Sequence, residues 1–518
     1  MRSLLLPGLP TLHDSNPHIA RAIAYHTAVM DGEFPPTWAK EVLGGIGSPV
    51  LMLNYQLPYM IGEIWHQAGL SYVASYKLTL GLSFVLSGVL MYLALTRLAS
   101  PLAAWVGALL YSLAPYRFLD IYVRGALGEA VAFVFAPVVL SGVLRSSFPL
   151  LTIGWTGLFL THPLAAAIFS GVFLGYVGLF HRTIKELKVH FLAYLLALAI
   201  ASFNLLPTLS LTQYTYYSPE LSNTLTQFPT LAQLFHSPWG YGNSVAGTDD
   251  QMSFSLGLVQ WLVLLAGIVI CFAAQKFRGK LGYILAVTCL TIFLMLPSAR
   301  ILYIWLNLTM IIDFPWRLLM CLTFASAWVG TLLMDTMRNR TMQKLAAGAV
   351  FFSLIFLSAP IAKTNTYWDR DEMSFARETG DSYGEYAPRT RETQDSSPFG
   401  ERAEFIEGTG VITPLVQKSN RQSYQITSEQ GGIVRINTAY FPGWQMDSHC
   451  FVTQRTLSHI DDSGLMACPV VAGTQTVTVV YEAPIVVRTG NLISLAGIGI
   501  FIWYIFRSYY PRSTKLKR

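Results

Sequence analysis

The chain has 518 residues, of which 53% are hydrophobic and 12% are charged, and its mean hydropathy is +0.44. This composition leaves too little polar surface for a water-soluble globule and predicts a membrane protein. The net charge of +6 does not indicate nucleic-acid binding, because the Lys and Arg residues fall in short clusters between apolar runs rather than along one face.

Apolar runs near the length that crosses a bilayer recur along most of the chain. Several are short or interrupted by proline, as at Pro115, Pro163, Pro207 and Pro297. We predict about eleven membrane-spanning helices. They lie near residues 76–97, 101–116, 127–145, 149–161, 163–180, 189–207, 254–275, 281–297, 317–336, 344–362 and 488–506.

Basic residues fall in every second loop, which sets the predicted orientation. Under the positive-inside rule those loops are cytoplasmic. The outer loops are then 13–75, 117–126, 208–253, 298–316 and 363–487. The opening segment MRSLLLPGLPTL is too short to span, so we expect a preceding helix, about twelve spans in the complete protein, and an inner N-terminus.

The sequence predicts three parts: a transmembrane domain at 1–362, an outer β-rich domain at 363–487, and a last helix with a basic tail at 488–518. The β-rich part opens on a charged stretch expected to be a solvated linker or an extended strand. The later segments GGIVRINTAYF and TQTVTVVYEAP alternate apolar and polar residues, as in an antiparallel sandwich. Within this part, a disulfide between Cys450 and Cys468 would fit an oxidising compartment, and two free thiols remain the alternative.

The outer loop 13–75 is the richest in residues that could carry chemistry. Asp14 stands where the chain leaves the membrane, followed by NPHIARAIAYH, which favours a helix start with His18 and Arg21 near neighbours. Its carboxylate could serve as a general base or a metal ligand. The alternative is that Asp14 caps the helix that follows.

This loop resembles the first external loop of the GT-C superfamily of membrane glycosyltransferases, where an aspartate just after the first helix is the catalytic base. More narrowly, DGEFPPTW, GGIGSP and NYQLPY resemble a bacterial group labelled 6-pyruvoyl-tetrahydropterin synthase-related and the YfhO-type membrane proteins. The motifs APYRFLDIYVRGALGE, LTHP, IIDFPWR and YFPGW follow in the same order, so the resemblance covers nearly the whole chain.

The resemblance implies transfer of a sugar from a polyprenyl-phosphate carrier, with Asp14 as the base. Arg124 and Arg317 are expected at the outer interface, where arginine can bind the leaving phosphate. The alternative for each is snorkelling or a local ion pair, with Asp120 or Glu129 for Arg124 and with Asp313 for Arg317. The cofactor is left open between none and a divalent metal such as Mg or Mn, because His13 stands where an acidic partner of Asp14 would be expected.

Further residues are candidates for substrate contact or support, each beside a structural alternative. Asp31 and Glu33 precede prolines that suggest a turn. His162 is as compatible with a hydrogen-bonded core as with a ligand, and Trp239 and Tyr241 fit a membrane-interface belt as well as a sugar-binding surface. His13, His18 and Arg21 complete this set.

The sequence therefore predicts a GT-C-like polytopic α-helical protein with an outer β-sandwich before its last helix. The predicted function is glycosyl transfer to a cell-envelope glycan, lipid or protein on the outer face of a bacterial inner membrane. The inner loops are too short to bind a nucleotide, so the donor must arrive on lipid. A lipid-linked glycan transporter and a non-catalytic carbohydrate-binding assembly protein are the alternatives.

Overall fold

A helical bundle with a β-rich domain before its last long helix forms the computed structural model of this chain. The structure describes residues 2–217, 221–244, 250–273, 279–376, 384–390, 401–446, 450–452 and 464–509. The predicted fold class, a polytopic helical protein with a C-terminal β-rich region, is confirmed.

The first outer segment is mostly helical and leads into the first long apolar helix. A short pairing of Leu9–Pro10 (β1) with Tyr367–Trp368 (β2) ties the start of the chain to the segment after the bundle. The helices of this part are α1 (Arg2–Leu5), α2 (Ser15–Met30), α3 (Val50–Leu53) and α4 (Leu57–Gln67).

The bundle is built from long apolar helices and short connecting ones. Its helices are α5 (Tyr72–Leu95), α6 (Pro101–Ser112), α7 (Pro115–Leu119), α8 (Leu127–Arg145), α9 (Phe148–Thr161), α10 (Pro163–Phe180), α11 (Ile184–Leu211), α12 (Leu221–Thr226), α13 (Leu231–Phe235), α14 (Leu258–Ala273), α15 (Lys280–Met295), α16 (Arg300–Trp305), α17 (Leu319–Thr336), α18 (Arg340–Ser358) and α19 (Ile485–Tyr509).

Each predicted span corresponds to a helix, but not every helix is long enough to cross a membrane. Seven helices in the described ranges pass by length and composition, and nine if each of two bent pairs counts as one span. The bends of 45° and 81° fall at Pro115 and Pro297, because proline cannot continue a helix. Helices α9 and α14, with 14 and 16 described residues, are shorter than the roughly 20 residues that cross a bilayer. The protein is a multi-pass membrane protein.

The β-rich domain consists of two four-stranded antiparallel sheets. One has the strand order β4-β5-β10-β7 and the other β3-β6-β9-β8. In this domain Cys450 and Cys468 are joined by a disulfide. The strands are β3 (Ala403–Gly408), β4 (Val411–Lys418), β5 (Arg421–Ser428), β6 (Gly432–Ala439), β7 (Trp444–Met446), β8 (Phe451–Val452), β9 (Leu465–Val470) and β10 (Gly473–Tyr481).

The β-rich domain packs directly on the first outer loop. Trp38 is buried against Phe441, Trp444 and Tyr481, with its ring centroid 5.4 Å from that of Trp444. Phe441 and Trp444 belong to the YFPGW motif. The motif thus joins the β-rich domain to the first outer loop.

Candidate functional site

A cavity of about 920 Å³ opens where the outer loops meet the ends of the membrane helices. Its lining comes from separate parts of the chain, all of them in loops assigned to the outside or in the helix ends beside them. The structure brings most of the predicted site residues together there: His13, Asp14, His18, Arg21, Arg124, Glu129, His162, Asp313 and Arg317.

Asp14 is held at the cavity wall by its backbone. The Asp14 amide donates to the Arg124 carbonyl at 2.9 Å, and the His13 amide donates to the Val123 carbonyl at 3.1 Å. Asp14 occupies the N-cap position of α2, but its side chain forms no capping hydrogen bond. Helix capping therefore does not explain the presence of this carboxylate. It lines the cavity, as does Arg124.

A turn that depends on a glycine brings Arg124 and Glu129 together. Residues Asp120–Arg124 form a π-helical turn, and Gly125 then adopts a φ of +68°, a conformation that glycine takes without strain. The Tyr76 hydroxyl donates to the Gly125 carbonyl at 2.9 Å. Helix α8 begins two residues later, so Arg124 and Glu129 lie on either side of this turn and approach each other.

Glu129 is the centre of a buried ion network. It contacts Arg124 Nη2 at 2.8 Å through Oε1, and Arg317 Nε at 3.3 Å through the same oxygen. The Tyr116 hydroxyl donates to its other oxygen at 2.6 Å. One carboxylate thus bridges both arginines predicted to bind phosphate, which lie on segments far apart in the sequence.

Both arginines also have the local carboxylate partners considered as alternatives. Asp120 Oδ1 lies 2.7 Å from Arg124 Nη1, and Asp313 Oδ2 lies 2.7 Å from Arg317 Nη1. Asp120 is fully buried and lies outside the cavity lining, whereas the Asp313 side chain is 31% exposed. Arg317, with an 18% exposed side chain, is the more accessible of the two cations.

The histidines around the cavity have clear structural partners. His162 Nδ1 accepts from the Ala165 amide and caps α10, and its Nε2 lies 3.7 Å from Glu129. His18 Nδ1 lies 2.7 Å from the Tyr59 hydroxyl, and burial lowers the pKa of His18 well below its usual range. Burial also lowers the pKa of His13, whose Nε2 lies 3.2 Å from the Tyr241 carbonyl. His13 and His18 are therefore neutral near pH 7.

The cavity lining has two chemical characters. The outer loops contribute hydroxyl, amide and phenol groups and the Glu385 carboxylate. Apolar groups come from the start of α10 and from the loops before α14 and α17, where Met310 and Ile311 are also exposed. The polar set is Asn54, Tyr55, Tyr216, Tyr217, Asn223, Thr224, Gln227, Asn243, Ser244, Glu385 and Tyr386. The apolar set is Pro163, Leu164, Ala167, Met252, Met310, Ile311, Phe314 and Trp316.

Several predicted site residues lie outside this lining. Asp31 Oδ2 accepts from the Ser419 amide and hydroxyl, each at 2.7 Å, and from Lys40 at 3.0 Å, so it fastens the β-rich domain to the first outer loop. The Tyr241 hydroxyl donates to the Lys363 carbonyl, and Trp239 packs against the hydrophobic core. These contacts give each of the three residues a structural role.

Glu33 also lies at the contact with the β-rich domain, and we expect it to make stability depend on pH. Burial raises its pKa from 4.5 to about 7, and Thr37 donates to it. Between these pH values the folded protein binds more protons than the unfolded chain, so stability should fall as pH rises from 5 to 7. In thermal unfolding of the detergent-solubilised protein, Glu33→Gln should flatten this slope.

The matched control for Glu33 is Glu41→Gln, in the same loop. Glu41 pairs with Arg402 at 2.6 Å and is partly exposed, so its removal should leave the slope of melting temperature against pH as in the wild type. An unchanged slope in Glu33→Gln would contradict the assignment of this pH dependence to Glu33.

Among the cavity residues that the sequence reasoning missed, two lie in the stretch predicted to be a solvated linker. Glu385 and Tyr386 line the cavity, and Tyr386 and Ala387 are buried. The Tyr386 carbonyl accepts from the Ser48 hydroxyl at 3.0 Å, and the Ala387 carbonyl accepts from the Tyr216 amide at 3.1 Å. Residues 384–390 are thus a packed wall segment. The neighbouring 377–383 and 391–400 lie outside the described residues.

The acidic and imidazole groups near Asp14 do not converge on one point. Within the described ranges, no group of three or more His, Cys, Asp or Glu side chains is arranged to hold a metal ion.

No protein-family model matches the chain, and no curated protein matches it by sequence. Among solved structures it is similar to the cryo-EM structure of arabinofuranosyltransferase AftD from Mycobacteria, at 15% identity and a TM-score of 0.44. The match covers 70% of this chain and 26% of that one, so this chain spans about a quarter of that protein's length. The narrower resemblance to the YfhO-type group stays a prediction, and the reaction must be inferred from the cavity and its side chains.

Proposed function

We propose that this protein transfers a sugar from a polyprenyl-phosphate donor to a hydroxyl of a cell-envelope acceptor, in this cavity and on the outer face of the membrane. The observation that carries the proposal is the position of Asp14. Its carboxylate lines the same cavity as Arg124 and Arg317 without making the capping hydrogen bond available to it.

The proposed step is a direct displacement. Asp14 takes the proton of the acceptor hydroxyl while the acceptor oxygen bonds to the anomeric carbon. The bond from that carbon to the phosphate oxygen breaks, and its electron pair leaves with polyprenyl phosphate. One carboxylate suffices, because no covalent glycosyl-enzyme intermediate is formed.

The lining of the cavity supports a donor that is part lipid and part sugar. The apolar groups at the ends of α10 and before α17 suit an isoprenoid chain, and the exposed Met310 and Ile311 lie where such a chain would enter. The amide, hydroxyl and phenol groups of the outer segments suit a sugar.

Arg317 is the better candidate for contact with the leaving phosphate. It is more exposed than Arg124, and its guanidinium carbon lies 4.7 Å from the ring centroid of Phe314, which fixes the plane of the group. Arg124, which forms ion pairs with Asp120 and Glu129, would add positive charge without contacting the phosphate directly. Arginine keeps its charge when desolvated, so both remain cationic in this site.

The test is a transfer assay with the purified full-length protein in liposomes, a set of radiolabelled polyprenyl-phosphate sugars, and an envelope extract as acceptor. We expect label to move from at least one donor into an extractable glycan product. Comparing transfer with and without EDTA decides whether a divalent metal takes part. Movement of labelled lipid across the bilayer without any glycan product would overturn the proposal in favour of a transporter. Glycan binding without transfer would favour an assembly protein.

A further inference from the structure

His18 forms part of the wall between two cavities. It lines the large cavity together with Asp14, and it also lines a second, small cavity of about 20 Å³. The His18 amide donates to the Asp14 carbonyl at 3.1 Å, so the two residues lie one helical turn apart. Side chains with this spacing are neighbours on one face of a helix, with Cβ atoms about 5–6 Å apart. His18 and Asp14 can therefore contact the same bound sugar.

The Nδ1 atom of His18 faces the small cavity. It lies 2.7 Å from the hydroxyl of Tyr59, a residue that lines the small cavity but not the large one. Both side chains are buried, with exposed fractions of 3% for His18 and 4% for Tyr59. The two nitrogens of an imidazole ring point in different directions. Nε2 is therefore the nitrogen that can reach a ligand in the large cavity.

The hydrogen bonds of Tyr59 determine which nitrogen of His18 carries the proton. Arg21 donates to the Tyr59 hydroxyl oxygen, because a guanidinium group can only donate. The hydroxyl has one proton of its own, and among the described residues His18 Nδ1 is the acceptor for it. His18 is neutral because burial lowers its pKa, so an unprotonated Nδ1 leaves the ring proton on Nε2. Arg21 and Tyr59 thus make His18 Nε2–H a hydrogen-bond donor.

We propose that His18 binds the sugar acceptor, with its Nε2–H donating to an oxygen next to the hydroxyl that Asp14 deprotonates. The acceptor is then a sugar with two neighbouring hydroxyl groups. A carboxylate accepts and this imidazole donates, so the pair binds the sugar in the orientation that brings the reactive hydroxyl to Asp14. Arg21 and Tyr59 are positioning residues, since they act through His18. The inference deepens the proposed function and rests on it for the role of Asp14.

The protonated nitrogen of His18 can be measured without any substrate. The full-length protein is produced with isotope-labelled histidine and studied in liposomes by solid-state NMR, and the His18 resonances are assigned by their loss in His18→Gln. We expect a neutral ring with its proton on Nε2. Tyr59→Phe should shift the Nδ1 resonance, because that nitrogen loses its hydrogen bond. A proton on Nδ1 in the wild type, or an unshifted resonance in Tyr59→Phe, would overturn the inference.

The matched control for Tyr59→Phe is Tyr25→Phe. The rings of Tyr25 and Tyr59 are stacked, with centroids 6.3 Å apart. The Tyr25 hydroxyl is buried and forms hydrogen bonds to none of the described residues. Its removal should therefore leave the His18 Nδ1 resonance where it is in the wild type.

Binding of the acceptor is measured in the absence of donor, with the protein in nanodiscs. The probe is a fluorescently labelled oligosaccharide fraction of the envelope extract. His18→Phe keeps a ring but no donor and should weaken binding about tenfold, the usual effect of one lost hydrogen bond. His18→Gln can still donate through its amide and should stay within about threefold of the wild type. Periodate cleaves neighbouring hydroxyl pairs, so the oxidised fraction should bind to the wild type and His18→Phe alike.

Two results separate this inference from the proposed function. Equal Kd values of the untreated fraction for the wild type and His18→Phe would overturn the inference, whether or not sugar is transferred. Binding that depends on His18, in a protein that transfers no sugar from any donor, would instead count against the proposed function alone.

Discussion

Asp14→Asn should reduce the rate of sugar transfer by a factor of about 10² to 10⁴, the usual contribution of a general base. Asparagine has the same size and cannot take up the proton of the acceptor hydroxyl. The loop should keep its place, because the hydrogen bonds that hold it run through the backbone amides of His13 and Asp14. Donor binding should therefore be unchanged, and the loss should appear in kcat rather than in KM.

The matched control is Asp31→Asn, the same substitution at the opposite end of α2. Asp31 holds Ser419 and Lys40 rather than facing the cavity, so its loss should lower thermal stability and leave kcat within about twofold of the wild type. Both variants are compared in the liposome assay at saturating donor. Equal transfer by the wild type and Asp14→Asn would rule out Asp14 as the base.

Long apolar runs were sufficient to predict the helix positions, and the alternating basic loops predicted which helix ends lie on the same side as one another. The predicted Arg124, Arg317 and Asp14 meet at one cavity because the ends of membrane helices on one side must lie near one another. The carboxylate partners of the two arginines were predictable because they lie close to them in the sequence. Asp120 and Glu129 flank Arg124 in sequence, and Asp313 precedes Arg317 by one helical turn.

Contacts between distant segments were not predictable from local pattern. Nothing in the charged stretch after residue 363 signals that Tyr386 packs beside Arg21, because that position depends on hydrogen bonds to Ser48 and Tyr216. Likewise, Asp31 resembles a site residue in the sequence, and only the structure shows that its carboxylate accepts a hydrogen bond from Ser419. The bridge from Glu129 to Arg317 also joins segments far apart in sequence, and only the packed fold places them together.

Glu129→Gln should destabilise the protein strongly, because it removes the carboxylate shared by the buried Arg124 and the partly buried Arg317. Glu129 is 1% exposed and contacts both Arg124 and Arg317. Breaking a buried ion pair by removing one partner typically costs about 3–5 kcal/mol. Glutamine retains the shape and can still accept from the Tyr116 hydroxyl, so the loss reports charge rather than packing. The measurement is the melting temperature of the detergent-solubilised protein, which should fall by at least about 5 °C.

Two further variants test whether the loss of stability comes from the ion network or from any substitution in this region. Asp313→Asn removes a partly exposed partner of the same Arg317, so it should cost less than about 1 kcal/mol. The double variant Glu129→Gln with Arg317→Gln removes both members of the Glu129–Arg317 pair, while Arg124 keeps Asp120. Its melting temperature should therefore lie above that expected from adding the two single losses. Strict additivity, or a wild-type melting temperature in Glu129→Gln, would mean that Glu129 does not couple the two arginines.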